Sequence, residues 1–488
     1  MITHLLDRIA HWAEAAPERV AHRSGERVLT YAELHRRSNA LAAWIQAELA
    51  DDRSPIAVRG HKEPEMLIAF LGAVKSGRPY VPIDSSIPDQ RAEKIIEASG
   101  AAKTLSPEEI ARFSEGTAPA PARRVEGNEP FYILFTSGST GEPKGVVITL
   151  ANLRHFVNWM IAEQRFGDIG EVFLNQAPFS FDLSVMDTYL SLVTGGTLFS
   201  ITKDHVANLR TLFESFRGSG VTTWVSTPSF ATMCLIEKTF AESMLPNLRR
   251  FLFCGETLPS ETAAQLLERF PNAEVWNTYG PTEATVATTS IRVERKILDE
   301  WNPLPVGAVM PGTCILIRDE TGNAVPEGER GEIVILGPNV SPGYLGRPDL
   351  TERVFFTANG ERGYRTGDWG RQREGLIFFE GRMDNQVKVN GYRIELGDLE
   401  ANIRALPGIA DAVVLPVGDG TRVDSLAAFV VQTSEDAGSD FERAARLKSA
   451  LGQRLPAYMV PRKFLFVEAF PMTANGKADR RALAEKLK

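Results

Sequence analysis

The segment FYILFTSGSTGEPKG, residues 131–145, limits the fold of this chain more than any other part of the sequence. Its apolar start is typical of a buried β-strand, and a loop of Gly, Ser and Thr follows it and ends at Lys144. Glycine lets the backbone come close to phosphate oxygens, and the loop adds N–H groups, hydroxyls and one ammonium. We therefore expect a phosphate-binding loop at the end of a strand.

This loop differs from a Walker A motif. That motif has a second Gly five residues after its first and a Ser or Thr after its Lys. Counted from Gly138, those positions hold Pro143 and Gly145. A surface turn is the simpler interpretation of a short Gly and Ser cluster, but the complete string favours phosphate binding.

Strand-like and helical stretches alternate along the chain, which predicts an α/β fold with buried sheets flanked by helices. The runs SPIAV, RPYVPI and TTWVS are strand-like, and Thr30 with Glu33 has the spacing of a capping box at a helix start. The chain has 488 residues, whereas a single core usually stops growing near about 250–300 residues. At least two domains are expected.

The predicted domain boundary lies at Asp384, where the strand-like run GLIFFEGR gives way to the polar segment MDNQVKVNGYRIE. We predict a large N-terminal domain of residues 1–383 and a small α+β domain of residues 384–488. In the second domain, Asp398 is expected to cap a helix that carries Leu399, Ile403 and Leu406. A last helix is expected to begin near Asp479.

The charge and the termini exclude several classes of protein. The net charge of −8 comes from dispersed residues, without the basic stripe of a nucleic-acid-binding protein. The N-terminus lacks the apolar core of a signal peptide. The sequence has no run of about 18 apolar residues, so no membrane-spanning helix is expected. Three widely spaced cysteines, Cys234, Cys254 and Cys314, argue against a disulfide framework or a zinc site. A reducing cytoplasm is the expected location.

Further motifs follow in order along nearly the whole chain: FSFDLS, FCGETLP, NTYGPTEATV, GEIVI, YRTGD, GRMDNQVKVNGYRIE and PMTANGKADR. With the loop Thr136–Gly145, they resemble the adenylate-forming enzymes, the superfamily of acyl-CoA synthetases, luciferases and peptide-synthetase adenylation domains. The stretch LNQAPFSFDLSVMD resembles the branch that attaches D-alanine to a carrier protein. The resemblance implies a ligase that uses ATP and Mg²⁺ to form an acyl adenylate and then a thioester.

The resemblance also implies a nucleotide site, and the residue types suit it. Tyr279 offers an aromatic face to adenine, and Asp368, at a turn expected after Gly367, can accept hydrogen bonds from the ribose hydroxyls. Arg382 is a ribose or phosphate contact, and Thr282 can reach a phosphate oxygen. The simpler interpretation of Asp368 is a carboxylate that caps its own turn. The complete predicted set is Thr136, Ser137, Gly138, Ser139, Thr140, Lys144, Asn277, Thr278, Tyr279, Thr282, Asp368, Arg382 and Lys477.

Charge accumulates when a carboxylate approaches the α-phosphate of ATP, so the site needs a metal ion and cations. Glu283 in NTYGPTE is the predicted Mg²⁺ ligand, although by itself it would be taken for a solvated surface acid. By resemblance, Lys477 is the catalytic lysine, and Asp384 is the hinge about which the small, mobile C-terminal domain rotates. Lys388 and Gly391 then belong to the face used for thioester formation.

The acyl substrate is expected to be a small amino acid. A desolvated ammonium needs an opposing carboxylate, and by resemblance Asp182 supplies it; an N-cap role for Asp182 is the alternative. Cys254 can crowd one face of the substrate α-carbon, or simply be a small core residue. The D configuration rests on the resemblance alone. The complete predicted pocket is Asp182, Leu183, Met186, Cys254, Thr278, Val286 and Ala287.

Three functions remain open at the level of sequence. The first is a stand-alone ligase that transfers D-alanine to the phosphopantetheine of a separate carrier protein; the resemblance then implies a role in decorating cell-wall or membrane polymers such as lipoteichoic acid. The second is another member of the superfamily, either an acyl-CoA synthetase or a peptide-synthetase type enzyme for another small amino acid. The third is a nucleotide-binding protein without turnover, which has no use for a transition-state lysine. A monomer is the expected state.

Overall fold

The computed structural model describes residues 1–49, 52–119, 121, 123–137, 142–167, 170–384, 386–389, 391–418, 423–433, 438–472 and 478–487. No helix in these ranges is both long and apolar enough to cross a membrane. Helices and sheets alternate in the large first part of the chain, as predicted for an α/β fold.

The α-helices are α1 Leu5–Ala15, α2 Tyr31–Glu48, α3 Pro64–Lys75, α4 Asp89–Ser99, α5 Pro107–Phe113, α6 Leu150–Glu163, α7 Leu183–Thr194, α8 Lys203–Ala207, α9 Leu209–Phe216, α10 Pro228–Leu235, α11 Ser260–Arg269, α12 Arg295–Glu300, α13 Pro348–Val354, α14 Leu396–Arg404, α15 Asp440–Gly452 and α16 Arg480–Glu485.

The strands are β1 Val20–Ser24, β2 Arg27–Thr30, β3 Ile56–Gly60, β4 Tyr80–Asp84, β5 Lys103–Leu105, β6 Pro130–Thr136, β7 Lys144–Thr149, β8 Val172–Asn175, β9 Thr197–Ser200, β10 Thr223–Ser226, β11 Arg250–Phe253, β12 Glu274–Tyr279, β13 Thr289–Val293, β14 Ala308–Val309, β15 Cys314–Arg318, β16 Gly331–Leu336, β17 Gly343–Tyr344, β18 Phe355–Ala358, β19 Glu361–Arg373, β20 Leu376–Arg382, β21 Gln386–Val389, β22 Tyr392–Glu395, β23 Ile409–Gly418, β24 Val423–Gln432 and β25 Lys463–Phe466.

Two sheets with parallel centres organise the first part of the chain. One has the order β14-β13-β12-β11-β10-β8-β9-β1-β2, in which β9, β8, β10, β11 and β12 run parallel to one another. The other has the order β17-β7-β6-β4-β3-β5. Asp182 lies in the segment that follows β8, and the NTYGPTE motif begins in the last three residues of β12 and continues past its end. These positions agree with the rule that open α/β sheets bind ligands at the carboxyl ends of their strands.

A third sheet, β15-β16-β19-β18 with β20 paired to β19, is antiparallel. It carries Asp368 on β19 and Arg382 at the end of β20. The prediction of a turn at Asp368 is wrong, because this residue lies inside the long strand β19. Gly367 has a φ of +67°, and the register with β20 shifts between Asp368 and Gly370. Asp368 therefore lies at a bulge-like irregularity, which changes the direction of a side chain without ending the strand.

Contacts divide the chain into two compact units: residues 1–84, 99–135 and 145–383 form the first, and residues 85–98, 136–144 and 384–488 form the second. A hydrophobic core in the second unit joins α14, β23 and β24, with Leu399 and Val430 fully buried. A separate buried cluster there includes Phe429 and Leu483.

Sequence patterns located several helix starts correctly. Thr30 and Glu33 form the predicted capping box of α2, and Asp479 caps α16 with bonds to the next backbone N–H groups. The prediction that Asp398 begins a helix is wrong, because α14 starts at Leu396 and Asp398 lies in its first turn. Asp398 is instead fully buried and accepts a hydrogen bond from Arg91 at 3.1 Å, within the second unit.

Candidate active site

The Asp182 carboxylate stands at the start of α7, at the end of the segment 176–182 that leads from β8 into this helix. Asp182 occupies the N-cap position, yet its side chain makes no capping hydrogen bond. Its Oδ2 accepts from the Thr282 hydroxyl at 2.7 Å instead. Simple helix capping therefore does not explain the carboxylate, and two motifs 100 positions apart meet here.

The NTYGPTE loop after β12 is folded tightly onto the residues that follow it. A Cβ on Gly280 would lie 2.6 Å from the Cα of Ala287, so only glycine fits there. Thr285 and Val286 have φ values of +58° and +69°, and the Ala287 N–H donates to the Thr285 carbonyl at 2.8 Å. A positive φ is unfavourable for a β-branched residue, so this turn stores backbone strain.

Asn339, which lies outside the NTYGPTE motif, forms hydrogen bonds that stabilise the strained turn at Thr285 and Val286. Its Nδ2 donates to the Ala284 carbonyl at 3.0 Å and to the Thr288 hydroxyl at 3.2 Å. Its carbonyl accepts from the Thr285 hydroxyl at 2.6 Å. Sequence reasoning missed Asn339, because no local pattern connects position 339 to a turn more than 50 residues earlier.

Glu283 is fully buried in a single turn of 3-10 helix, Thr282–Ala284. Its Oε1 accepts from the Tyr344 hydroxyl at 2.8 Å. The alternative of a solvated surface acid is therefore wrong. No group of three or more His, Cys, Asp or Glu side chains suited to a metal occurs within the described residues. One buried carboxylate fits Mg²⁺, which commonly takes one or two protein carboxylates and completes its shell with phosphates and water.

The predicted pocket residues other than Asp182 are buried. The Cys254 thiol contacts the Val286 carbonyl at 3.5 Å, which joins the end of β11 to the strained turn. The Thr278 hydroxyl donates to the Phe253 carbonyl at 2.8 Å, so it joins strand β12 to strand β11. The buried set comprises Leu183, Met186, Cys254, Thr278, Val286 and Ala287.

Three predicted nucleotide residues form one cluster. Asp368 accepts from the Tyr279 hydroxyl at 2.5 Å and from the Arg382 guanidinium at 2.7 Å. Burial, reinforced by the Asp368 charge, raises the pKa of Tyr279 well above its ordinary value, so its hydroxyl remains a donor. Asn277 is nearby in sequence but uses its amide on the Pro305 carbonyl, at 2.8 Å.

The phosphate-binding loop lies partly outside the described residues, which exclude Gly138, Ser139 and Thr140. Thr136 ends β6, and within the described chain its buried hydroxyl has no hydrogen-bond partner. Ser137 donates to the Arg393 carbonyl and accepts from the Glu395 N–H, both at 3.1 Å. Lys144 is half-buried at the start of β7.

The predicted hinge and the thioester residues belong to the second unit. Asp384 is exposed, and its carboxylate accepts from the Gln386 N–H at 3.1 Å. Lys388 is half-buried in β21, and Gly391 has a φ of +83° between β21 and β22. Lys477 lies outside the described residues.

Comparison with known proteins places the chain in a family. The model of the AMP-binding enzyme family matches residues 9–345, and that of the AMP-binding enzyme C-terminal domain matches residues 398–477. A D-alanine--D-alanyl carrier protein ligase of Bacillus mycoides (strain KBAB4) is 49% identical over 501 aligned residues, covering 99% of each chain.

Solved structures agree with the fold. The Vibrio cholerae adenylation domain AlmE, in complex with glycyl-adenosine-5'-phosphate, has a TM-score of 0.86 at 23% identity and covers 100% of this chain and 98% of its own. A nonribosomal peptide synthetase protein with adenylation and PCP domains has a TM-score of 0.81 at 27% identity, covering 99% of this chain and 84% of that one. The chain therefore belongs to the AMP-binding, adenylate-forming enzyme family.

Proposed function

We propose that the protein activates D-alanine with ATP as D-alanyl adenylate and then transfers the alanyl group to the phosphopantetheine thiol of a separate carrier protein. The observation that carries the amino-acid substrate is the Asp182 carboxylate, which makes no capping hydrogen bond to α7 and is oriented by Thr282. The ligase relative from Bacillus mycoides, similar over its full length, supports D-alanine and the carrier protein.

An amino-acid substrate brings an ammonium that must leave water, and its desolvation is costly unless a carboxylate replaces the lost solvation. Asp182 is half-buried and accepts a hydrogen bond from a neutral hydroxyl, which orients the carboxylate without adding a positive charge. The neighbouring pocket residues Leu183, Met186 and Val286 are apolar and buried, which favours a side chain as small as a methyl group.

The nucleotide is proposed to bind with its ribose at Asp368. Tyr279 and Arg382 hold that carboxylate from two different elements, so its orientation is fixed before a ligand arrives. A carboxylate fixed in this way accepts hydrogen bonds from hydroxyls without further ordering. Thr136, Ser137 and Lys144, together with Gly138, Ser139 and Thr140, are proposed phosphate contacts.

In the first step, a carboxylate oxygen of D-alanine attacks the α-phosphorus, a new O–P bond forms, and the bond to the β-phosphate oxygen breaks to release pyrophosphate. Glu283 would hold Mg²⁺, which when bound neutralises charge on the phosphates. Lys477 is proposed to approach the same phosphate and stabilise the transition state.

In the second step, the carrier thiol gives its proton to solvent and its sulfur forms a bond to the carbonyl carbon, and the bond from that carbon to the phosphate oxygen breaks to release AMP. Residues 384–488 are proposed to form a C-terminal domain that rearranges at Asp384 between the two steps, with Lys388 and Gly391 serving the second. Because ATP is consumed, we place the reaction in the cytoplasm, where the charged carrier supplies alanine for cell-wall or membrane polymers.

The test is ATP–pyrophosphate exchange measured with D-alanine, L-alanine, glycine, serine and a short fatty acid, followed by thioester formation on a phosphopantetheinylated carrier. D-alanine is expected to give the highest kcat/KM. A higher value with L-alanine or glycine would overturn the substrate and keep the reaction class. Exchange with the fatty acid alone would overturn amino-acid activation.

A further inference from the structure

A lysine that no predicted site includes is buried behind the segment that carries Asp182. Lys62 follows β3, and its side chain is 1% exposed. Its ammonium donates to the Asn175 side-chain oxygen and to the Ala177 carbonyl, and lies 4.4 Å from the centroid of the Phe179 ring. A buried ammonium is costly unless such acceptors surround it, so these contacts hold one another in place.

These three contacts of the ammonium lie in one short stretch of chain. Asn175 is the last residue of β8, and Ala177 and Phe179 belong to the segment 176–182 that ends at Asp182. A single cation therefore fixes the start and the middle of this segment. Ordering the backbone of this segment costs conformational entropy, which fixed contacts must offset.

The same network reaches the other end of the segment. The Asn175 amide donates to the Asp187 carboxylate in α7 at 2.9 Å. The Asn175 oxygen also accepts from the Ser200 hydroxyl at 2.8 Å, and Ser200 in turn bonds the His22 ring at 2.8 Å. Asp182 therefore lies between two points, Asn175 and Asp187, that are joined through buried polar groups.

Charge balance explains why the lysine and Asp187 are buried together. Burial lowers the pKa of Lys62, and the charges of Asp187 and Asp84 oppose that effect. Burial raises the pKa of Asp187, and the Lys62 charge opposes it. Removing the Lys62 charge takes away the positive charge that opposes the burial of Asp187, whereas removing Asp187 leaves Lys62 with the charge of Asp84.

We propose that Lys62 is a positioning residue for the amino-acid site: through Asn175 and Ala177 it fixes the segment 176–182, so that Asp182 meets the substrate ammonium in one orientation. This proposal rests on the proposed function. Tyr279, Asp368 and Arg382 lie on other elements, so the nucleotide cluster does not depend on Lys62. Loss of Lys62 should therefore weaken amino-acid binding and leave ATP binding as it is.

The first variant is Lys62→Met, which keeps the apolar stem and removes the ammonium. In pyrophosphate exchange, the KM for D-alanine is expected to rise about tenfold, because a weakened hydrogen bond to a charged group costs at least a factor of about that size, while the KM for ATP changes less than about twofold. The matched control is Lys75→Met. Lys75 is also buried, but its ammonium bonds Ser38 and Asn39 on α2, so its loss should lower Tm without moving the D-alanine KM.

A second variant keeps the proposal testable if Lys62→Met does not fold. Lys62→Met with Asp187→Asn removes both buried charges and should show the same selective rise in the D-alanine KM. An unchanged D-alanine KM, or an equal rise in both KM values, in a folded variant would overturn the role of Lys62. The wild type is assayed in parallel. If it activates another amino acid better than D-alanine, the proposed substrate fails and the same KM comparison is made with that amino acid.

Discussion

Hydroxyl donors orient the three carboxylates of the candidate site. Thr282 bonds Asp182, Tyr344 bonds Glu283 and Tyr279 bonds Asp368, each through a side-chain hydroxyl. A hydroxyl fixes an oxygen without cancelling its charge, whereas a cation would both fix and neutralise it. Asp368 also accepts a hydrogen bond from a guanidinium, that of Arg382. The hydroxyls of Thr282 and Tyr344 orient Asp182 and Glu283 without adding a positive charge of their own.

Tyr279→Phe tests whether the hydroxyl orients Asp368 for the nucleotide. The ring stays and the 2.5 Å bond to Asp368 is lost. We expect the KM for ATP to rise about fivefold, corresponding to roughly 1 kcal/mol, with the D-alanine KM unchanged. The control Tyr80→Phe removes a buried hydroxyl that bonds Tyr189, and should leave both KM values unchanged. A rise in the D-alanine KM alone for Tyr279→Phe would contradict the assignment.

The burial of His22 predicts that the unfolding free energy falls at acid pH. Burial, with smaller contributions from Lys62 and Arg27, lowers its pKa to about 3. Between this value and the unfolded value near 6.5, only the unfolded chain binds the proton, so stability is lost as pH falls through this range, by about 1.4 kcal/mol per pH unit.

The measurement is chemical denaturation at several pH values from 4 to 7. His22→Gln should reduce the slope of the unfolding free energy against pH by about one proton's worth relative to the wild type. His11→Gln makes the same replacement at an exposed position of α1 and is the matched control. A His22→Gln slope equal to that of the wild type would refute the prediction.

At the scale of elements, the sequence predicted those helix starts and strands whose signals lie within a few neighbouring residues. The capping box of Thr30 and Glu33 and the strands around Tyr80 and Trp224 were predicted correctly, because their signals lie within a few residues. The predicted cap at Asp398 failed, since Arg91 binds that carboxylate and only the fold brings the two together. The phosphate contact of Thr282 stays a prediction. The hydrogen bond from Thr282 to Asp182 could not be predicted from sequence spacing, because the two residues are far apart in the chain.

The strained turn at Thr285 and Val286 depends on an element that the sequence does not associate with it. Asn339→Ala removes bonds to Ala284 and Thr288 and the bond accepted from Thr313 at 2.8 Å, and leaves buried partners unsatisfied. We expect a loss of about 2–4 kcal/mol in unfolding free energy. The KM for D-alanine should also rise, because Val286 lines the proposed pocket.

Urea denaturation measures the stability, with Asn323→Ala as the control. Asn323 is exposed, and its amide donates to the Thr321 hydroxyl and bonds the Asp319 carboxylate, so its loss should stay within about 0.5 kcal/mol. A loss at Asn339 no larger than that at Asn323 would show that the turn does not need this support.

At the scale of the whole molecule, the motifs predicted the α/β fold and the family, and the comparisons confirm both. The motifs could do this because they recur in order over almost the full length. The domain limits 1–383 and 384–488 remain predictions. The compact units also break between Met383 and Asp384, but the second includes residues 85–98 and 136–144, which no local composition marks as belonging with the C-terminal residues.

Asp384→Pro tests the proposed rearrangement at this position. Asp384 is exposed and its carboxylate caps the Gln386 N–H, so the side chain contributes little to either core. Proline fixes φ near −65° and restricts the preceding residue, Met383. A step that requires a backbone change at position 384 is therefore slowed, whereas a step completed within one arrangement is not. We expect pyrophosphate exchange to stay within about threefold of the wild type and thioester formation to fall about a hundredfold, roughly 2.7 kcal/mol of barrier.

The matched control is Asp384→Ala, which removes the same carboxylate and its bond to Gln386 but keeps backbone freedom. Its thioester formation should remain within about threefold of the wild type, because only backbone restriction is expected to matter at this position. Single-turnover transfer from preformed adenylate to the carrier separates the second step from the first. If proline and alanine slow transfer equally, the carboxylate rather than the backbone is responsible. If proline slows both half-reactions equally, position 384 is not the point at which the chain rearranges between them.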